Sequence, residues 1–458
     1  MDLKITTKNV DITQNVDKGS VWKQVFLSIV VSFPFFTQGV QTINLSTSAH
    51  TGHFTTPDTV PWSTIALIIS AAVAAPLYSV LIDRCGRKLG FYSVIMLQGV
   101  SCIPLLLSPN MPTIIILHVV AGVTSGGLFT ALPIYIRELS TDSIRGAMVS
   151  LMLLMTSAGY LVKLAMTNET LLYLMAGLVM FQFLSVFLII ESPGYLVMRD
   201  KMEAATKSLA KLKFVPNDNL YVIDEISKLK EESDRAKANG PLNIYSILKN
   251  KIYRDGTKVG IVLYTVTVLS GSIIFLDQEK TLEQLKTEAD PEKLLVPIGL
   301  AAGGLTTVLF LRILERKYYL TFAYSSMVLS MGILAVYTQN DLTVKEFRMV
   351  PIVCLAILVF SYGMAWGVPV VIMVEILNVE IRATIMGALY AYYQILKLAH
   401  IHSYSFLKEN IGIYTLLYIF TGVNLFGAVY TISKVPDIKM KTVRQIERQL
   451  KRLPILKM

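Results

Sequence analysis

The stretch LPIYIRELSTDSIRGAM, residues 132–148, ends a long apolar run and carries charges of both signs. Glu138 closes the run, and Arg145 follows after a short polar gap, just before apolar residues resume. Ionised side chains are costly inside hydrocarbon, so they collect where a helix reaches the membrane surface. The stretch therefore indicates the point at which a helix leaves a bilayer.

A second stretch, PVVIMVEILNVEIRATIMG at 369–387, repeats this arrangement with Glu375 and Arg382. In both stretches the glutamate precedes the arginine by seven positions. The repetition predicts two related halves, each with the same charges at the same helix end.

Another segment is repeated in a weaker form. DRCGRK at 83–88 follows the second apolar run, and LERKYY at 314–319 follows the eighth, with Tyr318 where the first copy has Gly86. Parallel repeats of six spans are known among transporters, whose substrate site lies between the halves near the membrane midplane.

The composition places the chain in a membrane. Of its 458 residues, 53% are hydrophobic and only 16% are charged, which is too apolar for a soluble protein of this size. A spanning helix needs about 20 mainly apolar residues, because hydrocarbon offers the backbone no partner except itself. Runs of that length lie at about 25–45, 62–82, 90–108, 112–136, 147–167, 171–190, 258–277, 294–314, 318–337, 350–374, 383–407 and 412–433.

These runs predict an all-α membrane protein with twelve transmembrane helices in two six-helix halves and a cytoplasmic helical linker. The hydrophilic linker carries apolar residues at spacings of three and four, which predicts amphipathic helices under the bundle and a tether that lets the halves move. The expected units are a cytoplasmic N-terminal tail (1–21), an N-terminal half (22–190), the linker (191–257), a C-terminal half (258–433) and a cytoplasmic C-terminal tail (434–458).

Lysine and arginine in the short loops indicate the orientation. The loops at about 46–61, 109–111 and 168–170 contain neither residue, whereas the opposite loops, the linker and the tail are basic. Because cytoplasmic loops retain positive charge, both termini are expected in the cytoplasm of a multi-pass protein, which we place in the plasma membrane. This asymmetry and anionic lipid explain the net charge of +10, so no nucleic-acid partner is needed.

Other chemical signals are sparse. The three cysteines imply no disulfide framework, and nothing resembles a nucleotide loop, a metal cluster or a nucleophile triad. We therefore expect no cofactor, no metal and no enzymatic activity. The glycosylation pattern occurs at Asn44 and Asn168, each close to a span.

The ordered set of motifs resembles the sugar porter family of the major facilitator superfamily over nearly the whole chain. AATKSLAKLKF at 204–214 and the short tail are most similar to the insect branch of facilitated trehalose transporters. The resemblance implies the major facilitator fold and a monomer that carries a small-molecule solute, a sugar such as trehalose or a hexose, by alternating access. The segments that carry it are DRCGRK, LPIYIRELSTDSIRGAM, ESPGYLVMRDK (191–201), LSGS (269–272), PVVIMVEILNVEIR and VPDIKMKTVRQIE (435–447).

The resemblance also implies a salt-bridge network at the cytoplasmic ends of the spans. Arginine–carboxylate pairs there can be bidentate, and they can close the inner side in one conformation and separate in the other. The alternative is ordinary anchoring by solvated charges, which contributes little. The predicted gate residues are Asp83, Arg87, Glu138, Arg145, Glu191, Glu375 and Arg382.

At the positions where the family holds its sugar, this chain departs from the pattern. Leu153 stands where a glutamine is usual, Thr267 and Val268 replace two glutamines, and Val370 replaces a tryptophan. The loss of these groups removes the basis for predicting hexose specificity. The remaining candidates, each with helix packing as the alternative role, are Gln38, Gln41, Thr156, Ser270, Ser272, Trp366, Tyr393, Gln394 and Lys397.

Lys163 and Lys397 lie in equivalent spans of the two halves. A charge within a span usually faces a cavity or a partner, although a lysine can also snorkel to the surface. Lys397 is expected to pair with Asp277 or to meet an anionic substrate, which leaves a carrier of another small polar or anionic solute as an alternative. A transporter-like sensor is a further alternative.

Acidic residues are almost absent from the spans. Proton-coupled relatives carry an acid in the first span, where this chain has Gly39. Because a carboxylate is the usual proton carrier, the sequence favours facilitated diffusion over proton symport.

Overall fold

A computed structural model of the chain describes residues 21–42, 62–106, 111–238, 249–271, 292–340, 349–439, 441 and 443–452. Over these ranges the secondary structure is helical, with no strand. Seven of the described helices are long and apolar enough to cross a membrane. Two shorter apolar helical segments, Tyr173–Leu188 and Leu295–Phe310, overlap the sixth and eighth predicted runs. Further helices cover the other predicted runs, so every one of the twelve runs contains a helix.

Six helices precede the linker, and they coincide with the first six predicted runs. They are α1 (Val21–Thr42), α2 (Trp62–Cys85), α3 (Arg87–Leu106), α4 (Met111–Leu139), α5 (Arg145–Ala165) and α6 (Asn168–Ser185).

Three helices form the linker, at the bundle end where α2 finishes and α3 starts; we call this end the linker side. Their bounds are Pro193–Met198 (α7), Met202–Lys213 (α8) and Leu220–Ala238 (α9). The Arg199 guanidinium donates to the backbone oxygens of Asp83 (2.9 Å) and Arg84 (2.8 Å), and Leu209 and Leu212 are buried in the main core. The predicted amphipathic helices are therefore packed onto the first half.

The second half follows the same order, with one interruption. Its helices are α10 (Lys251–Leu269), α11 (Glu292–Phe310), α12 (Arg316–Gln339), α13 (Val350–Ala365), α14 (Val368–Ile376), α15 (Val379–Ile411) and α16 (Ile413–Lys434). The tenth predicted run is split into α13 and α14 because Pro369 at the start of α14 has no N–H to donate and its ring disfavours continued helix. The break places Trp366 and Gly367 in the middle of the bundle.

The C-terminal segment is docked on the second half. Asp437 forms an ion pair with Lys317. The Lys317 ammonium donates a hydrogen bond to the Asp437 carboxylate, which lowers the pKa of that carboxyl. A last helix, α17 (Val443–Arg452), buries Ile446 and Leu450.

The two halves meet where glycines allow their helices to approach closely. A Cβ on Gly387 of α15 would lie 3.0 Å from the Cβ of Ser79 in α2, and one on Gly304 of α11 would lie 3.2 Å from the Cα of Leu154 in α5. Both contacts lie toward the linker side, since α2 and α11 end there and α5 and α15 begin there. The halves are therefore packed tightly together below the midplane on that side.

Candidate functional site

A cavity of about 110 Å³ lies between the two halves. Helices α1, α2, α4 and α5 of the first half line it, together with α10, the α13–α14 break and α15 of the second. Its lining residues are Gln38, Thr42, Leu67, Ser125, Phe129, Leu153, Thr156, Tyr160, Tyr264, Thr267, Trp366, Gly367, Pro369, Val370, Tyr390, Tyr393, Gln394 and Lys397.

Aromatic rings form one wall of the cavity. Tyr390 stacks on Phe129, with ring centroids 5.2 Å apart, and on Tyr393, with centroids 5.8 Å apart. Trp366 lies against Phe129 at 6.0 Å, and Tyr264 meets Tyr393 edge to face at 5.9 Å. These rings combine large apolar surfaces with hydroxyl and indole N–H groups, so they can contact an apolar face and a polar edge of one solute.

Tyr390 also joins the two halves through a hydrogen bond. Its hydroxyl lies 2.7 Å from the Ser125 hydroxyl of α4, and the Gln394 amide N–H donates to it at 2.8 Å. The Gln38 amide N–H donates to the Ala121 carbonyl oxygen at 3.4 Å. The side-chain oxygens of Gln38 and Gln394 have no protein hydrogen-bond partner among the described residues, so each can accept from a solute hydroxyl.

The structure brings together most of the sequence-predicted binding residues. Six of them line the cavity: Gln38, Thr156, Trp366, Tyr393, Gln394 and Lys397. Gln41 is fully buried and Ser270 donates to the Thr267 carbonyl oxygen, and neither lines the cavity. Ser272 lies outside the described residues.

The positions that depart from the family pattern also line the cavity, so their side chains shape it. Leu153, Thr267 and Val370 present aliphatic groups and a hydroxyl where amides and an indole were expected. The Leu153 side chain fills the space beside Gly367, where an added Cβ would lie 2.1 Å from a Leu153 Cδ. This cavity therefore offers fewer amide groups and more aromatic hydroxyls than the family pattern implies.

Lys397 lines the cavity one turn beyond Tyr393. In the part of the chain that the structure describes, its ammonium forms no ion pair and no hydrogen bond. The suggested partner Asp277 lies outside the described residues, as does the side chain of Lys163. Among the described residues, therefore, nothing neutralises the Lys397 ammonium in this cavity.

Several lining residues were not predicted from the sequence, among them Ser125, Phe129, Tyr160 and Tyr264. All lie within continuous apolar runs, where a serine or an aromatic residue fits helix packing equally well. The aromatic residues of this wall that the sequence predicts are Trp366 and Tyr393, and Tyr390 lies on the same helix face as Tyr393.

A cluster of charges lies on the linker side, beneath the cavity. Arg87 donates from Nε and Nη2 to the two carboxylate oxygens of Glu138, at 3.0 and 3.1 Å, and from Nη1 to the Ile82 carbonyl oxygen at 3.1 Å. Asp83 completes the group, 3.6 Å from Arg87. The arginine is 1% exposed and Glu138 is 7% exposed, so this bidentate pair is shielded from water.

The second half has an equivalent pair that the sequence alignment missed. Arg316 donates to Glu375 at 2.8 Å, and both side chains are buried. Arg316 is the first residue of α12, as Arg87 is of α3. The structural match is therefore shifted by three positions from the alignment of Tyr318 with Gly86, which pairs Arg316 with Arg84. Arg316 belongs with the predicted gate residues although the motif did not select it.

Two contacts of this cluster cross between the halves. Arg382 donates twice to the Leu377 carbonyl oxygen, at 2.9 and 3.1 Å, and its guanidinium lies 3.9 Å from Glu138. On the other side, a Cβ on Gly146 would lie 2.5 Å from Arg316 Nη2. The linker side is therefore closed by buried charges contributed by both halves.

The other two predicted gate residues have different contacts. Arg145 is partly exposed and pairs with Asp142 in the turn before α5. The Glu191 carboxylate accepts the backbone N–H groups of Arg87 (3.0 Å) and Lys88 (3.2 Å), so it caps the start of α3.

Comparisons with known proteins agree with this geometry. The family model described as "Sugar (and other) transporter" matches residues 23–450. The facilitated trehalose transporter Tret1 of Bombyx mori is 22% identical over 447 residues, covering 94% of this chain and 87% of that protein. The putative metabolite transport protein YwtG of Bacillus subtilis is 23% identical over 399 residues, covering 84% and 85%.

The solved structures confirm the predicted major facilitator fold. The proton:xylose symporter XylE of E. coli, bound to 6-bromo-6-deoxy-D-glucose, matches with a TM-score of 0.76 at 16% identity. The match covers 94% of this chain and 99% of that chain. The proteins found by these comparisons are transporters, which agrees with the expectation that the chain is not an enzyme.

Proposed function

This chain belongs to the sugar (and other) transporter family, and from that premise we propose that it carries a small sugar across a membrane by alternating access. The observation that carries the proposal is the position of the cavity. It lies between two halves whose linker side is closed by the Arg382–Glu138 contact and by the packing of Gly146 against Arg316. A carrier needs such a closure to hold its solute from one side at a time.

Transport in this mechanism requires the linker side to open. The Arg382–Glu138 contact and the close approach of Gly146 to Arg316 join the halves, so both must separate when the halves rock apart. The Arg87–Glu138 and Arg316–Glu375 pairs each lie within one half and can persist in both conformations. Only a small part of the buried charge network therefore has to be rearranged in each cycle.

The lining of the cavity suits a neutral polyhydroxylated solute, such as trehalose or a hexose. The side-chain oxygens of Gln38 and Gln394 accept hydrogen bonds, while Tyr390, Tyr393 and Trp366 supply stacking surface and donors. The name of the Bombyx mori relative, a facilitated trehalose transporter, supports a sugar as the solute.

We propose that transport is downhill. Among the described residues that line the cavity, none is Asp or Glu. At Gly39, where proton-coupled relatives carry an acid, a Cβ would lie 2.3 Å from the Thr156 carbonyl oxygen and 3.0 Å from the Gly159 Cα. α1 and α5 are in backbone contact at this point, so a carboxylate side chain has no room there.

The expected setting is the plasma membrane, with the linker side and both termini in the cytoplasm. The basic loops and the docked linker share this side, in keeping with the positive-inside rule. We further propose that the chain acts as a monomer embedded in the lipid bilayer, with two domains of six membrane spans joined by residues 191–257.

Lys397 favours a second candidate function, the transport of a small anionic solute. Its ammonium lines the cavity without an ion-pair partner among the described residues, so a carboxylate on the solute could bind it directly. Such a solute would still use the aromatic wall.

Uptake by the purified protein in liposomes tests these proposals. Labelled trehalose, glucose and a sugar acid should be compared with and without a pH gradient, for wild type and Lys397→Ala. Equilibrating uptake of a neutral sugar, unchanged by the gradient, is expected. Uptake of the acid alone, lost in Lys397→Ala, would replace the first proposal by the second, and sugar binding without uptake by the wild type would indicate a sensor.

A further inference from the structure

The helix that opens the second half carries an unusual row of cations at its linker-side end. Lys249, Lys251 and Arg254 are exposed and Lys258 is half-buried, all at the start of α10 or just before it. We propose that this row, the α10 cation row, binds the head group of an anionic phospholipid in the cytoplasmic leaflet. The proposal needs only the membrane orientation, and it is independent of the transported solute.

The row lies on a face of α10 that continues into the hydrocarbon. Lys251, Arg254 and Lys258 are spaced by three and four residues, and Ile261 extends the same face with 39% of its surface exposed. From Lys251 to Lys258 the helix rises about 10 Å, which carries the row through the head-group layer to the edge of the hydrocarbon. A lipid whose acyl chains lie along Ile261 would place its phosphate among the three cations.

These cations have no partner among the described residues of the chain. Within the described ranges, none of the four side chains forms an ion pair or a hydrogen bond. By contrast, Arg87, Arg316 and Lys317, at the same end of the bundle, are each paired with a carboxylate. No described carboxylate therefore neutralises the α10 cation row, and its charge can attract an external anion.

The equivalent helix of the first half shows that the fold does not require this row. The exposed face at the start of α1 consists of Trp22, Phe26 and Ile29, which are 77%, 51% and 36% exposed. Like the α10 row, these residues share one helix face through spacings of three and four, but they form an aromatic and apolar interface anchor. The cations are thus a specific feature of the second half.

The position of the row links it to the linker-side closure. On another face of α10, the Tyr253 hydroxyl donates to Glu380 of α15 at 3.1 Å, two residues before Arg382. A lipid held on α10 therefore restrains the helix against which the start of α15, with Arg382, is packed.

Native mass spectrometry of the purified full chain tests the proposal, with phosphatidylserine and phosphatidylcholine as probes. The wild type should retain one phosphatidylserine in preference to phosphatidylcholine. The variant Lys251→Gln/Arg254→Gln/Lys258→Gln should bind it about a hundredfold more weakly, at about fivefold per cation removed. The matched control is Lys228→Gln/Arg235→Gln/Lys237→Gln, which removes three linker cations already paired with Asp224, Glu231 and Asp200 and should bind as the wild type does.

Several outcomes would overturn the proposal. Equal loss of lipid in both triple variants would show a response to bulk charge alone, and unchanged binding in the α10 variant would place the lipid elsewhere. Displacement of phosphatidylserine by inorganic phosphate at constant ionic strength would indicate a soluble anion site. The melting temperature without added lipid should be equal in the two triple variants, which separates lipid loss from misfolding, and neither result depends on whether sugar is transported.

Discussion

Arg316 and Arg87 show how a single side chain can define the equivalence of two halves. Each is the first residue of its helix. Arg87 donates to Glu138 near the end of α4, and Arg316 donates to Glu375 near the end of α14. The shared geometry identifies these pairs as the conserved element of the repeat within this chain. The surrounding letters, DRCGRK and LERKYY, have diverged too far to reveal it.

We expect Arg316→Gln to destabilise the protein and to reduce uptake at least tenfold. Removing one partner of a buried pair leaves Glu375 as an uncompensated charge, at a cost of about 3–5 kcal/mol. The measurements are thermal unfolding in detergent and uptake in liposomes. Arg84→Gln, at the position that sequence alignment matches to Arg316, is the control, because Arg84 is exposed and forms no ion pair in the described chain.

A double variant separates the charge effect from a loss of packing. Arg316→Gln/Glu375→Gln removes both charges, so it should recover most of the lost stability. A double variant as unstable as Arg316→Gln alone would show that the ion pair is not the source of the effect.

At the α13–α14 break, Gly367 is expected to tolerate no side chain unless Leu153 is shortened. Gly367→Ala would place a Cβ 2.1 Å from a Leu153 Cδ, so the leucine must move into the cavity. Overpacking of this kind costs about 1–3 kcal/mol, and uptake should fall accordingly. Combining Gly367→Ala with Leu153→Ala should restore uptake; a double variant no better than Gly367→Ala would contradict the collision.

Among the elements, the turn between α2 and α3 depends on a glycine and a distant carboxylate. Gly86 has φ +107°, and a Cβ there would lie 2.4 Å from a Glu191 carboxylate oxygen. That carboxylate caps the first N–H groups of α3. Because Gly86 has no side chain, the carboxylate has room to reach these groups. The DRCGRK and ESPGYLVMRDK motifs thus meet at one turn.

Gly86→Ala should lower stability by about 2 kcal/mol or more, because it adds backbone strain and displaces the cap. Thermal unfolding checks the prediction. Gly177→Ala is the matched control, since an added Cβ meets nothing within 4 Å in the middle of α6, and it should be neutral or slightly stabilising. A similar loss in both variants would indicate a general intolerance of alanine for glycine.

The C-terminal segment is expected to stay docked at physiological pH. The hydrogen bond from Lys317 lowers the pKa of Asp437 below its usual 3.8. The pair therefore stabilises the folded state at any pH above 3.8. This stabilisation is lost only as the pH falls through the lowered pKa. Hydrogen exchange in α17 should therefore be unaffected by Asp437 titration between pH 5 and 8. Asp437→Asn should lower the opening free energy of α17, obtained from exchange rates corrected for the intrinsic rate at each pH, by less than about 1 kcal/mol, because the pair is partly exposed. A wild-type opening free energy that changes between pH 5 and 8 would contradict this prediction.

The sequence predicts the helices far better than it predicts the cavity. Twenty apolar residues have few alternatives to a spanning helix, so the runs locate the elements. Inside a membrane, however, both lipid and cavity accept aromatic side chains, so Phe129 and Tyr264 gave no sign of their role. Gln41 and Ser270 illustrate the converse, because a polar residue on a spanning helix can be buried between helices as well as face a cavity.

For the molecule as a whole, the closed linker side explains why the cavity is bounded on one side. The glycine contacts at Gly387 and Gly304, the Ser125–Tyr390 hydrogen bond and the Arg382–Glu138 contact all join the halves. Each is a contact between residues far apart in the chain, so all can be broken together by a rotation of one half against the other. The structure is therefore one end state of the proposed cycle.

A reversible cross-link between α2 and α15 tests whether this end state must open during transport. Ser79→Cys/Gly387→Cys, in a background without the native cysteines, places two Cβ atoms about 3 Å apart, which needs less than about 1 Å of adjustment to reach disulfide geometry. Oxidation should abolish uptake and reduction should restore it, while each single cysteine variant should be insensitive to both treatments. A disulfide at this point holds the two halves together on the linker side. Continued uptake by the fully cross-linked protein would mean that the solute crosses without separation of α2 from α15. The proposal of alternating access between these halves would then be wrong.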